Sequence, residues 1–136
     1  MNSKFLLAGV IIVLIVAIGG LQFINITGYT SSAGENINVQ VTVDDGKNPI
    51  TQNVVLGPRE TAFNALKRVA AVDYKMQAPS VLVTEINGVR QDDNHYWLYF
   101  VNEKMLQVGC DQYYPVEGDS ISFRYLTVEE AGKYFE

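Results

Sequence analysis

Residues 96–101 read YWLYFV, six aromatic or aliphatic residues in succession. Successive side chains of a strand point to opposite faces, so this stretch predicts a strand that is apolar on both faces. Such a strand is either buried on both sides or presents one aromatic row to a partner. Three exposed aromatic side chains, at roughly 150–250 Å² each, would match the largest apolar patch usual on a monomer. The stretch leaves two alternatives open, a binding site and core.

Four further strands are predicted around this one. Residues 37–43 alternate Ile or Val with polar residues, the period of a strand with one buried and one wet face. Asp44-Asp45-Gly46 turns the chain, and Pro49 stands at the first position of a return strand because it has no N–H for the ladder. The predicted strands are Ile37–Val43, Pro49–Leu56, Val81–Ile86 and Ser120–Leu126.

One helix is predicted with good signals at its start. Thr61 is a suitable N-cap, and the apolar stripe that follows it runs to about Val72. A second, short helix is expected over residues 127–135. The segments 74–80 and 103–115 are expected to be long loops, and these loops or the terminal helix could cover the aromatic strand and make it core.

The N-terminal segment has the composition of a membrane anchor. Residues 5–21 are an apolar run preceded by one charge, Lys4. At about 1.5 Å rise per residue the run reaches roughly 26 Å, and the apolar residues that follow extend it toward the 30 Å of a hydrocarbon core. We expect residues 1–24 to form an N-terminal transmembrane helix that contacts the lipid bilayer through residues 5–24. A cleaved signal peptide is the alternative, because Ala17 and Gly19 lie at a plausible cleavage spacing.

The remainder is then expected on the outer side of the membrane. Lys4 is the only charged residue before Glu35, so the positive-inside bias turns the N-terminus inward. Residues 25–35, NITGYTSSAGE, have the composition of a flexible tether, and residues 36–136 suit one domain. The domain is expected to be membrane-anchored and extracytoplasmic, or secreted if the N-terminal segment is cleaved.

Charge and cysteine content exclude some classes of function. The chain has ten Lys and Arg against fifteen Asp and Glu; without Lys4 the count is nine against fifteen, a net charge of −6. Phosphate backbones would be repelled, so nucleic acid is not an expected partner. Cys110 is the only cysteine, so no intrachain disulfide can form.

Catalytic signals are absent from the sequence. His95 is the only histidine, so a site with two His ligands cannot form, and no Ser or Cys nucleophile motif or Gly-rich phosphate loop occurs. The acidic pairs are near predicted turns, where they are usually solvated. We expect no enzyme, no cofactor and no metal ion.

Five motifs together resemble the transcobalamin-like C-terminal domain family. They are Thr61–Leu66 opening a helix, Ile86-Asn87-Gly88, Tyr96–Asn102, Val108-Gly109 and Gly118–Ile121 before the last strand. The resemblance covers about residues 37–126. It implies an α+β domain of the β-grasp type, a mixed sheet of about five strands with one packed helix, here preceded by an N-terminal transmembrane helix.

The resemblance also implies a ligand site on the aromatic strand. In transcobalamin this domain forms one side of a cobalamin site, which makes a cobalamin-like compound one candidate. The residues expected to bind ligand are Tyr96, Trp97, Tyr99, Phe100 and Asn102. Glu103 departs from the family pattern, which usually has Gly after Val-Asn, so the turn there is expected to differ.

Two functions follow as expectations. The first is a noncatalytic, membrane-tethered module that binds a soluble small molecule through the aromatic strand. The second is a cell-envelope module for protein–protein interaction or structure, which would pair through the same patch or through an exposed sheet edge.

Overall fold

The computed structural model describes residues 34–135. Residues 36–136 form one compact unit. The predicted anchor at 1–24 and nearly all of the predicted tether at 25–35 lie outside the described residues. Within residues 34–135 no helix has the length and apolar content needed to span a bilayer.

Two sheets and two helices make up the domain. In chain order the elements are β1 (Ile37–Asp44), β2 (Ile50–Leu56), α1 (Ala62–Val69), β3 (Val72–Gln77), β4 (Ser80–Ile86), β5 (Val89–Arg90), β6 (His95–Val101), β7 (Lys104–Met105), β8 (Ser120–Thr127) and α2 (Val128–Gly132). The larger sheet has the order β2-β1-β8-β6-β7, and the smaller has the order β3-β4-β5. Within the larger sheet β1 and β8 are parallel and the other neighbours antiparallel. An α+β fold with a five-stranded mixed sheet is therefore confirmed.

Three sequence predictions about these elements are wrong. Residues 81–86, expected in the single sheet, belong to β4 in the second sheet. Most of the expected loop at 74–80 is strand, because β3 and β4 form a hairpin there. The helix ends at Val69 rather than near Val72, since Ala70 is already extended with φ −151° and ψ 157°. The short second helix expected over residues 127–135 is present as α2, Val128–Gly132.

Local signals explain where the main helix begins. Thr61 caps α1 in a capping box, in which its side chain accepts a hydrogen bond from the Asn64 amide and Asn64 accepts from the Thr61 amide. The next two backbone N–H groups, of Ala62 and Phe63, donate to the carbonyls of Tyr113 and Cys110. The start of α1 therefore holds the 110–113 segment in place.

The core lies against the inner face of the larger sheet. Val39, Val41 and Val43 of β1 are buried on that face, as their alternation predicts. Helix α1 packs against β1 and β2, and β4 packs against β6. Buried residues of all these elements form one hydrophobic cluster. Helix α1 covers one part of the inner face and the smaller sheet covers another part. An opening remains beside β6.

Candidate functional site

The side chains of β6 are mostly withdrawn from solvent: Trp97, Phe100 and Val101 are buried, whereas His95, Leu98 and Tyr99 are half-buried and Tyr96 is exposed. Trp97 and Tyr99 are on the inner face, and Trp97 is 6% exposed. On the outer face Tyr96 is 43% exposed, whereas Phe100 is fully buried. The Phe100 ring meets Tyr134 edge to face, with the centroids 4.9 Å apart. A continuous exposed aromatic row does not form on β6. Of the two alternatives that the sequence left open, the structure agrees with the one in which other segments pack over this strand.

A cavity of about 290 Å³ lies between β4 and β6. Residues 81–83 of β4 and 97–99 of β6 form two of its sides, the segment 105–110 forms a third, and Phe123 and Phe135 also contact it. Most of these side chains are aliphatic or aromatic. Two of the five predicted ligand-binding residues, Trp97 and Tyr99, line this cavity; Tyr96, Phe100 and Asn102 do not.

The two aromatic residues that β6 contributes to the cavity are held by hydrogen bonds. Trp97 Nε1 donates to the carbonyl of Val89 at 2.8 Å, and Tyr99 Oη donates to the carbonyl of Val108. The Tyr99 ring also stacks on Phe123, with the centroids 5.7 Å apart. Burial, reinforced by the neighbouring Cys110 and Asp111, raises the pKa of Tyr99. The phenol therefore stays protonated and remains a donor to Val108 at neutral pH.

The segment 105–110 is fixed against the β3–β4 hairpin. Asp111 Oδ1 accepts a hydrogen bond from the Val81 amide at 3.1 Å. Gly109 lies so close to Ser80 that a Cβ at this position would be 2.5 Å from the serine side chain. Glycine is thus required at 109 by close approach. Hydrogen bonds and packing define three sides of the cavity.

Cys110 lines the cavity as a protonated thiol. It is 4% exposed. Burial first, and then the charge of Asp111, raise the pKa of Cys110 to about 12. Since the thiolate is the reactive form, this cysteine is a small apolar wall residue at neutral pH.

Asn102 is used within the protein. Its Nδ2 donates to Asp119 Oδ1 at 2.9 Å, and its Oδ1 accepts from the Ser120 amide at 2.9 Å. These bonds join the β6–β7 turn to the start of β8. A ligand-binding role for Asn102 stays a prediction, and the structure places its amide in a loop contact.

The β6–β7 turn is a tight two-residue connection formed by Asn102 and Glu103. Asn102 and Glu103 have φ values of +51° and +70°. Both are in the left-handed region, where glycine is the residue without a steric penalty. The Glu103 side chain accepts from Arg124 Nη2 at 2.6 Å, and the Arg124 guanidinium lies 4.2 Å from the centre of the Phe100 ring. The expected difference from the family pattern at this turn stays a prediction.

Comparison with known proteins gives a family for the sequence. Residues 59–127, just over half of the chain, match the family described as Domain of unknown function (DUF4430). The chain belongs to the DUF4430 family. The match includes α1, β4, β6 and the whole of the 105–110 segment, so every lining residue of the cavity except Phe135 lies within the matched range. No curated protein matches the chain.

Two solved structures share the fold of this DUF4430 domain. A crystal structure of a protein from Ruminococcus gnavus, for which metal binding has been suggested, has a TM-score of 0.61 at 16% identity; the match covers 67% of this chain and 97% of that one. Haptocorrin in complex with Cbi has a TM-score of 0.64 at 16% identity, with 78% of this chain and 27% of haptocorrin covered. The chain spans about a quarter of haptocorrin's length. At this identity the likeness shows the fold alone.

The described part of the DUF4430 domain has no group of side chains suited to binding a metal ion. Within residues 34–135 no three or more His, Cys, Asp or Glu side chains are placed to hold one metal ion. His95 Nδ1 is 3.0 Å from Asp92 Oδ1, and the His95 ring stacks on Tyr125. The histidine is part of this surface contact.

Sequence reasoning missed half of the cavity. The β4 wall and the 105–110 wall come from segments read as an ordinary strand and as a loop. The available signal is Val108-Gly109, one of the motifs that resemble the transcobalamin-like family. The role of Gly109 follows from the structure, in which it lies in close contact with Ser80.

Proposed function

We propose that this DUF4430 domain is a noncatalytic module that binds a soluble small molecule in the cavity between β4 and β6. One observation carries the proposal: an apolar opening of about 290 Å³ is held open beside the core by anchored aromatic residues. Its volume is near the lower end of known ligand pockets, about 300–1,000 Å³.

The chemistry of the lining favours binding over catalysis. The titratable residues that line the cavity are Tyr99 and Cys110. The pKa of each is raised, chiefly by burial, so both groups are neutral at physiological pH. Neither is poised to act as a general base or a nucleophile near pH 7. The cavity offers apolar contact and fixed polar backbone groups instead.

The fold shared with haptocorrin supports the proposal that the ligand is a small molecule, but it does not identify the compound. A cobalamin-like compound is the candidate implied by the family resemblance, and it is much larger than the cavity. Such a compound could place only one edge between β4 and β6. A ligand that fills the cavity would be smaller.

The proposed setting is the outer surface of a membrane. The apolar run at residues 5–24 would anchor the chain in the lipid bilayer, and residues 25–35 would tether the domain nearby. A flexible tether of this length spans about 18 Å, from roughly 5–6 Å times the square root of the residue number. The ligand would then be captured close to the bilayer.

A fluorescence titration tests the proposal. Residues 36–136 are a suitable sample, because they form one compact unit and the Ruminococcus gnavus protein makes this fold with nearly its whole chain. Trp97 lines the cavity and is the only tryptophan. We expect its emission to change saturably with at least one member of a panel that contains small apolar compounds and cobalamin.

A matched pair of variants locates the binding. Val81→Phe adds a ring on the cavity wall, whereas Val55→Phe adds the same ring on β2, where Val55 is 54% exposed. Binding should be lost in Val81→Phe and retained in Val55→Phe, with both variants folded by circular dichroism. No saturable response to any compound, or equal binding by both variants, would contradict the proposal.

A protein-interaction role is the second candidate, and the open edge of β2 favours it. Arg68 Nη1 donates to the Val55 carbonyl from outside the sheet, so the odd residues of β2 direct their backbone groups away from β1. Strand β2 has no charged residue and no proline, the usual devices that protect an edge from pairing. Sedimentation of the domain tests this role. Asn53→Lys on the edge should abolish any association that Gln40→Lys, on the neighbouring strand, leaves intact.

A further inference from the structure

Three consecutive residues of β6, Trp97, Leu98 and Tyr99, line the cavity. Side chains of a strand alternate between faces, so a cavity confined to one face would not meet all three through their side chains. The cavity therefore reaches the edge of β6, where the backbone is accessible. The polar groups along this edge determine what a ligand must offer.

The hydrogen bonds of β6 show which backbone groups point to the cavity edge. On the side of β8, the Asn94 carbonyl accepts from the Val128 amide and the Asn102 amide donates to the Ser120 carbonyl. Even-numbered residues therefore face β8. On the other side, the His95 carbonyl accepts from the Asp92 amide. Odd-numbered residues, including Trp97 and Tyr99, direct their N–H and C=O groups toward the cavity edge.

Two of these edge groups lack a partner within residues 34–135. The Trp97 N–H donates to Gln91 Oε1, and β7 pairs with β6 only from Phe100 onward. Between these two contacts the Trp97 carbonyl and the Tyr99 N–H have no hydrogen-bond partner among the described residues. An acceptor and a donor thus stand side by side, flanking Leu98. A ligand that covers these two groups must offer them partners, because a backbone group shielded from water without a partner costs about 1–3 kcal/mol.

We infer that the ligand of this cavity carries an N–H donor and a C=O acceptor side by side on one edge, as in the cis amide of a lactam, on an uncharged apolar body. Its N–H donates to the Trp97 carbonyl, and its C=O accepts from the Tyr99 N–H. The same two groups are used in a parallel sheet. There, one residue of the neighbouring strand donates its N–H to the C=O of one residue and accepts, with its C=O, from the N–H two residues later. This inference rests on the proposed function, since it names the ligand chemistry of the same cavity.

The rest of the lining accounts for the apolar, uncharged body. No Asp, Glu, Lys or Arg belongs to the lining formed by the described residues. A charged ligand would lose its hydration here without gaining an ionic partner, which is costly. Phe123, Val83 and Leu106 offer apolar contact around the donor and acceptor pair.

Two probes that differ by one methyl group test the inference. Isoquinolinone is a flat lactam with both groups, and N-methylisoquinolinone keeps the carbonyl but has no N–H. Each is titrated into residues 36–136 and followed by Trp97 emission and by ¹H–¹⁵N spectra of the backbone amides. We expect isoquinolinone to bind at least about 3-fold more tightly, the effect of one hydrogen bond lost together with an acceptor left unpaired. The Tyr99 amide signal should shift on binding.

The outcomes separate this inference from the proposed function. If both probes bind equally through Trp97 and the Tyr99 amide signal does not move, the cavity is a ligand site and the amide inference is wrong. If neither probe nor any compound of the wider panel perturbs Trp97, the proposed function fails and the inference fails with it. Preference for the lactam with a shifted Tyr99 amide supports both.

Discussion

Asn102 and Asp119 form a hydrogen bond of 2.9 Å that ties the β6–β7 turn to the turn before β8. Asp119 is 4% exposed, and its other oxygen accepts from Tyr113 Oη at 2.6 Å and from the Val116 amide at 2.9 Å. One buried carboxylate thus joins three loop positions. The loops at this end of the sheet depend on it.

Removing the Asn102 side chain should destabilise the domain without affecting the cavity. Asn102→Gly retains a residue suited to φ +51° but loses both side-chain hydrogen bonds. We expect a loss of about 1–3 kcal/mol in the free energy of unfolding, measured with urea. Asn87→Gly is the control, because Asn87 has the same φ and its side chain accepts one bond, from Ala71. Loss of ligand affinity at unchanged stability would instead make Asn102 a ligand contact.

Asp119 should contribute to acid sensitivity. Burial tends to raise its pKa, but the hydrogen bonds from Tyr113, Val116 and Asn102 outweigh burial and hold the pKa of Asp119 below its ordinary value. Asp119 is therefore protonated near pH 4 in the unfolded chain, but only at lower pH in the folded domain. The ionised Asp119 stabilises the folded domain above about pH 4, and this stabilisation is lost as the pH falls further.

The pH effect can be measured with Asp119→Asn. This variant should lower the unfolding free energy by about 1.5–3 kcal/mol at pH 7, and its stability should depend less on pH between pH 5 and 3. Asp93→Asn, which changes an exposed carboxyl, should follow the wild type. An equal slope for wild type and Asp119→Asn would contradict the assignment.

Two substitutions at Glu103 separate backbone strain from the ion pair. Glu103→Ala and Glu103→Gly both remove the contact with Arg124, which is worth about 0–1 kcal/mol because Glu103 is 75% exposed. Only glycine relieves the cost of φ +70°, about 1–2 kcal/mol for other residues. Glu103→Gly should therefore be more stable than Glu103→Ala by about 1 kcal/mol in thermal or urea unfolding. Equal stabilities would show that the turn carries no strain.

Trp97 should report a buried environment before any ligand is added. Its side chain is 6% exposed and its Nε1 is bonded to Val89. We expect blue-shifted emission and weak quenching by acrylamide in the ligand-free domain, and red-shifted, easily quenched emission in urea. An exposed Trp97 in the native domain would be inconsistent with the closed sheet packing described above.

Cys110 should be unreactive in the native domain. With a pKa of about 12 and 4% exposure, it presents almost no accessible thiolate at pH 8. An aromatic disulfide reagent should label it only after unfolding. Rapid labelling of the folded domain would show that the segment 105–110 opens readily.

Local patterns were sufficient for the main elements. The alternation at residues 37–43, Thr61 as the N-cap and the turn at Asn87-Gly88 are properties of a few neighbouring residues, and each was confirmed. The β3 strand was missed although VDYKMQ alternates apolar with polar residues, the period of a strand. The pattern does not mark a buried face here, since five of the six residues are exposed. It exists as a strand through its pairing with β4.

By itself the sequence determined an α+β domain with an amphipathic first strand, one capped main helix and an aromatic strand apolar on both faces. Only the tertiary structure decided what that aromatic strand does. Its faces are covered by segments distant in the chain, β4 on one side and Tyr134 on the other, and its edge is left open because β7 is two residues long. Burial and edge pairing depend on which segments meet in space, and no pattern within six residues can specify that.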